Sequence, residues 1–201
     1  MSNTFAPQGA IPVAGADGAA PTYGMVTRLI AYNDTTKIYR GDLVKSLSTG
    51  YVAQWTAATA VSQAAGVFWG CKYYSLSQKT MTWSPYWPGA DVATDAVVTA
   101  YLIPVATAVP PKFYIQTSNS STTAVAVTLA DVGQNADVAM GTGSTASGMS
   151  GMYLDINTFN TTSTLPFRIV GLGPTAGNGS DAASAYNIVT VQANIYQETG
   201  I

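Results

Sequence analysis

The 201-residue sequence has no histidine, a single cysteine and only 9% charged residues, 8 Lys+Arg against 10 Asp+Glu. Without histidine there is no base for Ser-His-Asp or Cys-His nucleophilic chemistry. With Cys71 as the only thiol, neither a disulfide framework nor a cysteine-based zinc site can be built. The remaining metal donors are scattered carboxylates, so no cofactor is expected. Cys71 sits among aromatic residues in a strand-like run, where a thiol acts as a small hydrophobe.

Positive charge is sparse as well as scarce. Arg28, Lys37, Arg40, Lys45, Lys72, Lys79, Lys112 and Arg168 include no adjacent pair, and the isoelectric point is near 4.7. Phosphate binding needs clustered cations, so no nucleic-acid partner is expected. A membrane partner is not expected either. The uncharged stretch 46–71 is long enough to span, but Ser48, Gly50, Gln54, Thr56, Thr59, Ser62, Gln63 and Gly66 make it too polar to insert. The first ten residues carry neither a basic nor an apolar signal region, so the chain is expected to stay where it is made.

Low charge has a further consequence. At 20.8 kDa a folded monomer exposes roughly 9,000 Å². Each charge then serves about 500 Å², against under 200 Å² for an ordinary composition. Either Ser, Thr, Asn and Gln cover the outside, or much of it is buried against other chains.

What is present is β-signal. No window supports a long amphipathic helix; instead short apolar or alternating runs are bounded by Gly, Pro, Asn, Asp and Ser. Strands are expected at 25–31, 42–46, 51–54, 67–74, 79–84, 96–103, 112–117, 124–129, 137–140, 153–156, 167–170 and 187–196. The segment 56–65 reads as a short helix or a loop. This pattern predicts a single all-β domain over 23–201, a β-barrel or a β-sandwich.

Alternation sorts the faces. Val67, Trp69, Cys71 and Tyr73 should share one face and Phe68, Lys72 and Tyr74 the other, with aromatics on both. In 96–103 neither face is clearly polar. In the last strand Val189, Val191, Ala193 and Ile195 oppose Gln192, Asn194 and Tyr196, ordinary half-burial. Strands apolar on two sides need cover from a second sheet or from another subunit.

Residues 1–22 are rich in Ala, Gly and Pro and read as an extended N-terminal arm. It is either disordered in the free protein or ordered along a neighbouring subunit, with Phe5, Ile11 and Val13 as its apolar contacts. The Gly/Ser-rich segments 140–152 and 171–180 lack Walker and G-x-G-x-x-G spacing and read as flexible connections.

Two carboxylate pairs, Asp91 with Asp95 and Asp131 with Asp137, are the remaining candidates for glycoside hydrolysis or Ca²⁺ binding. Both lie in turn-like contexts near Gly or Pro, where Asp bonds its own backbone, and no D-x-D-x-D-G run exists. The chain is therefore read as non-enzymatic. Trp55, Trp69, Trp83 and Trp87 with 12 Tyr could make a sugar-binding platform, but core and subunit contact are the commoner uses. Phe68, Tyr74 and Trp87 are the aromatic candidates for a subunit contact.

Taken in order, Gly41-Asp-Leu-Val, Gly66-Val-Phe-Trp-Gly-Cys-Lys-Tyr, Tyr86-Trp-Pro-Gly, Phe113-Tyr-Ile-Gln, Val132-Gly-Gln-Asn and Val191-Gln-Ala-Asn-Ile-Tyr make the chain resemble the capsid cement, or decoration, proteins of tailed bacteriophages and cyanophages. The resemblance spans 41–196. It implies a β-barrel or β-sandwich body that assembles as a homotrimer and sits on the outer capsid surface of the virion after synthesis in the host cytoplasm. Its partner would be the major capsid protein at three-fold and quasi-three-fold positions, and its task to hold capsomers together against DNA pressure. The family offers no catalytic residues to carry over. The Gly/Ser-rich stretch 141–151 and the Ala/Gly-rich N-terminus depart from the pattern. A carbohydrate- or receptor-binding virion protein and a ring-forming tail-tube or neck subunit are the competing readings.

Overall fold

The computed structural model describes residues 3–14, 24–57, 59, 61–105, 107, 110–119, 125–173 and 184–194. Among these the protein is all β, with three short 3-10 turns and no α-helix. The first strands are β1 (Ile11–Ala14), β2 (Val26–Ile30), β3 (Ile38–Tyr39), β4 (Leu43–Ser46) and β5 (Tyr51–Gln54). The long β6 (Ala64–Ser75) and β7 (Thr80–Ser84) form a hairpin, followed by β8 (Tyr86–Trp87) and β9 (Val98–Ile103). Then come β10 (Lys112–Ser118), β11 (Asn135–Ala136), β12 (Val138–Ala139), β13 (Tyr153–Asp155), β14 (Phe167–Leu172) and β15 (Ile188–Ala193).

Strands β4, β5, β2, β9 and β6 pair in that order, and β4 pairs back onto β6, closing a five-stranded barrel. Strand β7 hangs on β6 outside the ring. Closure removes the free edges of the five strands and lets their inward residues make a core without help. Ile30, Val44, Val52, Phe68, Val98 and Leu102 fill it, and the two-stranded ribbon of β3 and β8 adds Ile38 and Trp87. The Trp87 indole donates to the Asp34 carbonyl at 3.0 Å and packs edge-on against Tyr73.

The second sheet runs β11-β14-β15-β10-β13-β12, with β1 also paired to β10. Its apolar face, Phe113, Ile115, Phe167, Ile169, Val189 and Val191, is covered from the barrel side by Leu43, Trp55, Ala64, Val67 and Ile103. The last strand thus alternates as expected over 188–193, while residues 195 and 196 lie outside the described ones.

The faces of β6 differ from strict alternation because of a bulge. Phe68 pairs with Leu102 but Gly70 pairs with Tyr101, so Trp69 is an extra residue. Val67 and Trp69 therefore serve the sheet-side core, while Cys71 and Tyr73 join Phe68 inside the barrel. Gly70 is required beside Trp83, since a Cβ there would come within 2.7 Å of its ring.

One expected strand is absent among the described residues. Residues 125–128 form no strand, because the buried Asn187 side chain takes over the ladder's bonds. Its Oδ1 accepts from Val127 N at 3.1 Å and its Nδ2 donates to Val127 O at 2.8 Å. Residues 61–63 are a 3-10 turn that leads straight into β6.

The N-terminal arm, over its described residues 3–14, is bonded to the chain's own body. Asn3 Nδ2 donates to the Ala185 carbonyl at 3.0 Å, and the Gln116 side chain accepts from Ala6 N and donates to Thr4 O, both at 2.9 Å. Gly9 N and Ala10 N donate to Met152 O and Gly41 O, Ala10 is fully buried, and β1 adds to the sheet at β10. The remainder of 1–22 lies outside the described residues.

Asp42 is buried where the two halves meet. Its carboxylate accepts from Ser150 Oγ at 2.5 Å, Tyr39 N at 2.8 Å and Gln54 Nε2 at 2.9 Å. Burial pushes its pKa above the ordinary carboxylate range against the pull of those donors. Beside it in sequence, the Arg40 guanidinium lies 3.7 Å from the Trp69 ring centre.

Candidate functional site

The seven-stranded sheet covers only part of the barrel's outside. The gradient is visible along β9, whose outward residues run from buried Ile103 through half-buried Tyr101 and Thr99 to Val97, 67% exposed just before the strand. On the uncovered part, strand register sets large apolar side chains in line. One cross-strand row reads Trp83, Lys72, Thr99, Leu29, Tyr51, each paired with the next. One pleat along, Met81 pairs with Tyr74, with Val97 on the same side.

Trp83 is 55% exposed, Met81 54%, Tyr74 and Leu29 43% each. With Val97 and Tyr51 they open roughly 500 Å² of apolar surface, at the upper end of what a monomer leaves uncovered. Lys72 is the one charged residue in the two rows. Strand β7 borders this face, and among the described residues its outer edge has no partner. Its residues, Thr80–Ser84, bring neither charge nor proline to blunt it. A hydrogen-bonded turn holds the hairpin: Asp91 accepts from the Ser75 hydroxyl, from Ser77 N at 2.8 Å and from Ser77 Oγ at 2.9 Å. These bonds, led by the one from Ser75, lower the Asp91 pKa below the usual carboxylate range.

A second surface lies on the sheet half. Phe5 packs edge-on against Tyr153 and tilted against Tyr186, both at 5.4 Å between ring centres. The three rings border an open cleft of about 680 Å³ that also touches Ser118 and Thr142.

The sequence candidates divide accordingly. Tyr74 belongs to the barrel face. Phe5, 45% exposed, belongs to the cleft, Ile11 is exposed opposite Tyr114, and Val13 is half-buried. Phe68 and Trp87 are fully enclosed by their own chain, in the barrel core, so neither has surface to offer a subunit contact. That expectation is corrected for both. Met81, Trp83, Leu29, Tyr51 and Val97 were not foreseen as a set. The clue was within 79–84, where Met81 and Trp83 share one parity against Thr80, Thr82 and Ser84, but parity alone does not say which side faces out.

The carboxylates are engaged locally. Asp131 accepts from Thr128 N and Oγ1 at 2.8 and 2.9 Å, and Asp137 from the Trp55 indole and Val138 N at 2.9 and 2.7 Å. Asp91 and Asp95 both occupy left-handed backbone positions, φ 72° and 62°. Burial raises the Cys71 thiol to about 12, which leaves it protonated and unreactive. Among the described residues no group of three His, Cys, Asp or Glu side chains is arranged to hold a metal ion.

No protein-family model, no curated protein and no solved structure matches the chain.

Proposed function

We propose that this chain is a virion structural protein, a capsid cement protein that binds the outer shell as a trimer and ties neighbouring capsomers of the major capsid protein together. The observation that carries the reading is the uncovered barrel face. Trp83, Met81, Tyr74, Leu29 and Val97 stand side by side in water, on a chain with too few charges to keep neighbours apart. Burying such a face stabilises an assembly in proportion to the apolar area removed from water.

The mechanism is multivalent. Each protomer needs only a modest footprint on the shell, because three linked footprints engage together and raise avidity by orders of magnitude. No covalent step is involved. The rigid barrel and the docked N-terminal segment hold the contact residues in place, so little ordering entropy is lost on binding.

Quantitative mass spectrometry of purified particles tests the reading. A cement protein is present in numbers comparable with the major capsid protein. Particles depleted of it lose resistance to heat and osmotic shock and regain it when the purified chain is added back. Absence from particles, or no regained resistance, overturns the proposal.

The cleft edged by Phe5, Tyr153 and Tyr186 favours a second reading, a carbohydrate- or receptor-binding virion protein. That protein would occur in few copies per particle and would bind a glycan array in a manner abolished by Phe5→Ala.

A further inference from the structure

Among the large apolar side chains exposed in the described residues, Leu129 stands furthest into solvent, at 77%. It opens the 3-10 turn Leu129–Asp131, which is tied down on both sides. Thr128 and Asp131 close a reciprocal cap at its start, and beyond it Gly133 N donates to Ile169 O at 2.9 Å on β14. Val125 and Val132 of the same loop are exposed too. The result is a rigid apolar knob on the sheet half of the molecule.

The barrel half carries a hollow. Where β2 and β5 meet the residues entering β9, an open cavity of about 130 Å³ is lined by Leu29, Tyr32, Tyr51, Asp95 and Val97. A cavity of ~150 Å³ holds one benzene-sized group, so a leucine side chain suits this one in size. The hollow lies within the uncovered barrel face described above.

Knob and hollow do not meet in one chain, since Leu129 is open to water and so is the cavity. We propose that Leu129 of one copy seats in the Leu29–Val97 hollow of the next. The charges near the contact are opposite in part: Asp95 lines the hollow, and Arg168 stands with Asp131 beside the knob. Two different patches meet, so the contact is head-to-tail and generates a ring when its rotation closes. Closure at three copies rests on the cement reading; the contact itself does not.

The test uses the full chain and two substitutions at exposed positions, Leu129→Asp and Val97→Asp, with Leu129→Ser and Val97→Ser in parallel should an aspartate variant lose its folded circular-dichroism spectrum. Native mass spectrometry reads the outcome. The unaltered protein is expected as a ring and each single variant as a monomer. A one-to-one mixture of Leu129→Asp with Val97→Asp is expected to form a two-chain complex, because the first keeps its hollow and the second its knob. Variants that retain the ring, a mixture that stays monomeric, or an unaltered protein that is monomeric overturns the proposal. A ring of other than three copies, or a ring that fails to bind phage shells, leaves the contact standing and overturns the cement reading.

Discussion

The barrel completes its core by itself, whereas the seven-stranded sheet borrows part of its cover. All buried barrel-core residues fall between Ile30 and Leu102, a continuous stretch of chain. The sheet core draws on both ends of the sequence, from Ala10 to Ala193, and closes against Leu43, Trp55, Val67 and Ile103 on the barrel's outside. For the apolar cores the dependence runs one way: the sheet core needs barrel residues, while the barrel core holds none from the sheet, and the part of the barrel's exterior left uncovered is the candidate contact face.

The strongest way to break this comparison is a matched pair of large-to-small substitutions. Phe68→Ala in the barrel and Phe167→Ala in the sheet both empty a fully buried site and should each cost about 3–5 kcal/mol in urea unfolding. Hydrogen exchange should separate them. Phe68→Ala loses protection in both halves, but Phe167→Ala leaves the amides of β2 and β9 protected. Equal loss in both variants would dissolve the distinction.

The joint between the halves comes next in size. Asp42→Ala strands the Ser150, Tyr39 and Gln54 donors and should cost about 1–3 kcal/mol by the same measurement. The joint and the barrel's β6–β7 turn should also respond to pH with opposite signs. Asp42 has a folded pKa raised above its ordinary 3.8, so the folded state holds the extra proton and stability falls as pH rises from about 3.8 through the raised value. Asp91 has a folded pKa lowered from 3.8, so its stabilisation is present above about 3.8 and is lost as pH falls through the lowered value. Thermal melts of Asp42→Asn and Asp91→Asn against pH should each flatten one of these slopes and leave the other.

The smallest expected effect on stability sharpens the comparison most. Met81→Ser lies on the uncovered face and should change unfolding free energy by no more than about 0.5 kcal/mol. It should nevertheless weaken self-association in a concentration series by light scattering. A drop in melting temperature with unchanged association would mean that Met81 serves the fold.

The all-β class and most strands were legible because period-2 alternation between turn residues is a local signal. Strand 51–54 matches β5, and 112–117 matches β10 to within one residue. What the sequence hid depends on distant partners. Asn187 replaces a strand at 125–128 through side-chain bonds across 60 residues. Residues 3–14 carry no periodicity, and their order comes from Gln116, Met152 and Gly41. The β6 bulge turns Cys71 and Tyr73 inward, a one-residue shift that reverses every later face and that no composition reveals. The contact face is half visible: the sequence singles out Tyr74, but which strand faces the sheet leaves uncovered is decided by packing, and so Phe68 and Trp87, expected at a subunit contact, lie in the core instead.

The most direct measurement is sedimentation equilibrium on the purified chain. If the uncovered barrel face is an assembly surface, the protein has a mass near three times 20.8 kDa and dissociates on dilution toward 20.8 kDa. A mass of 20.8 kDa that stays constant up to the highest soluble concentration would contradict it.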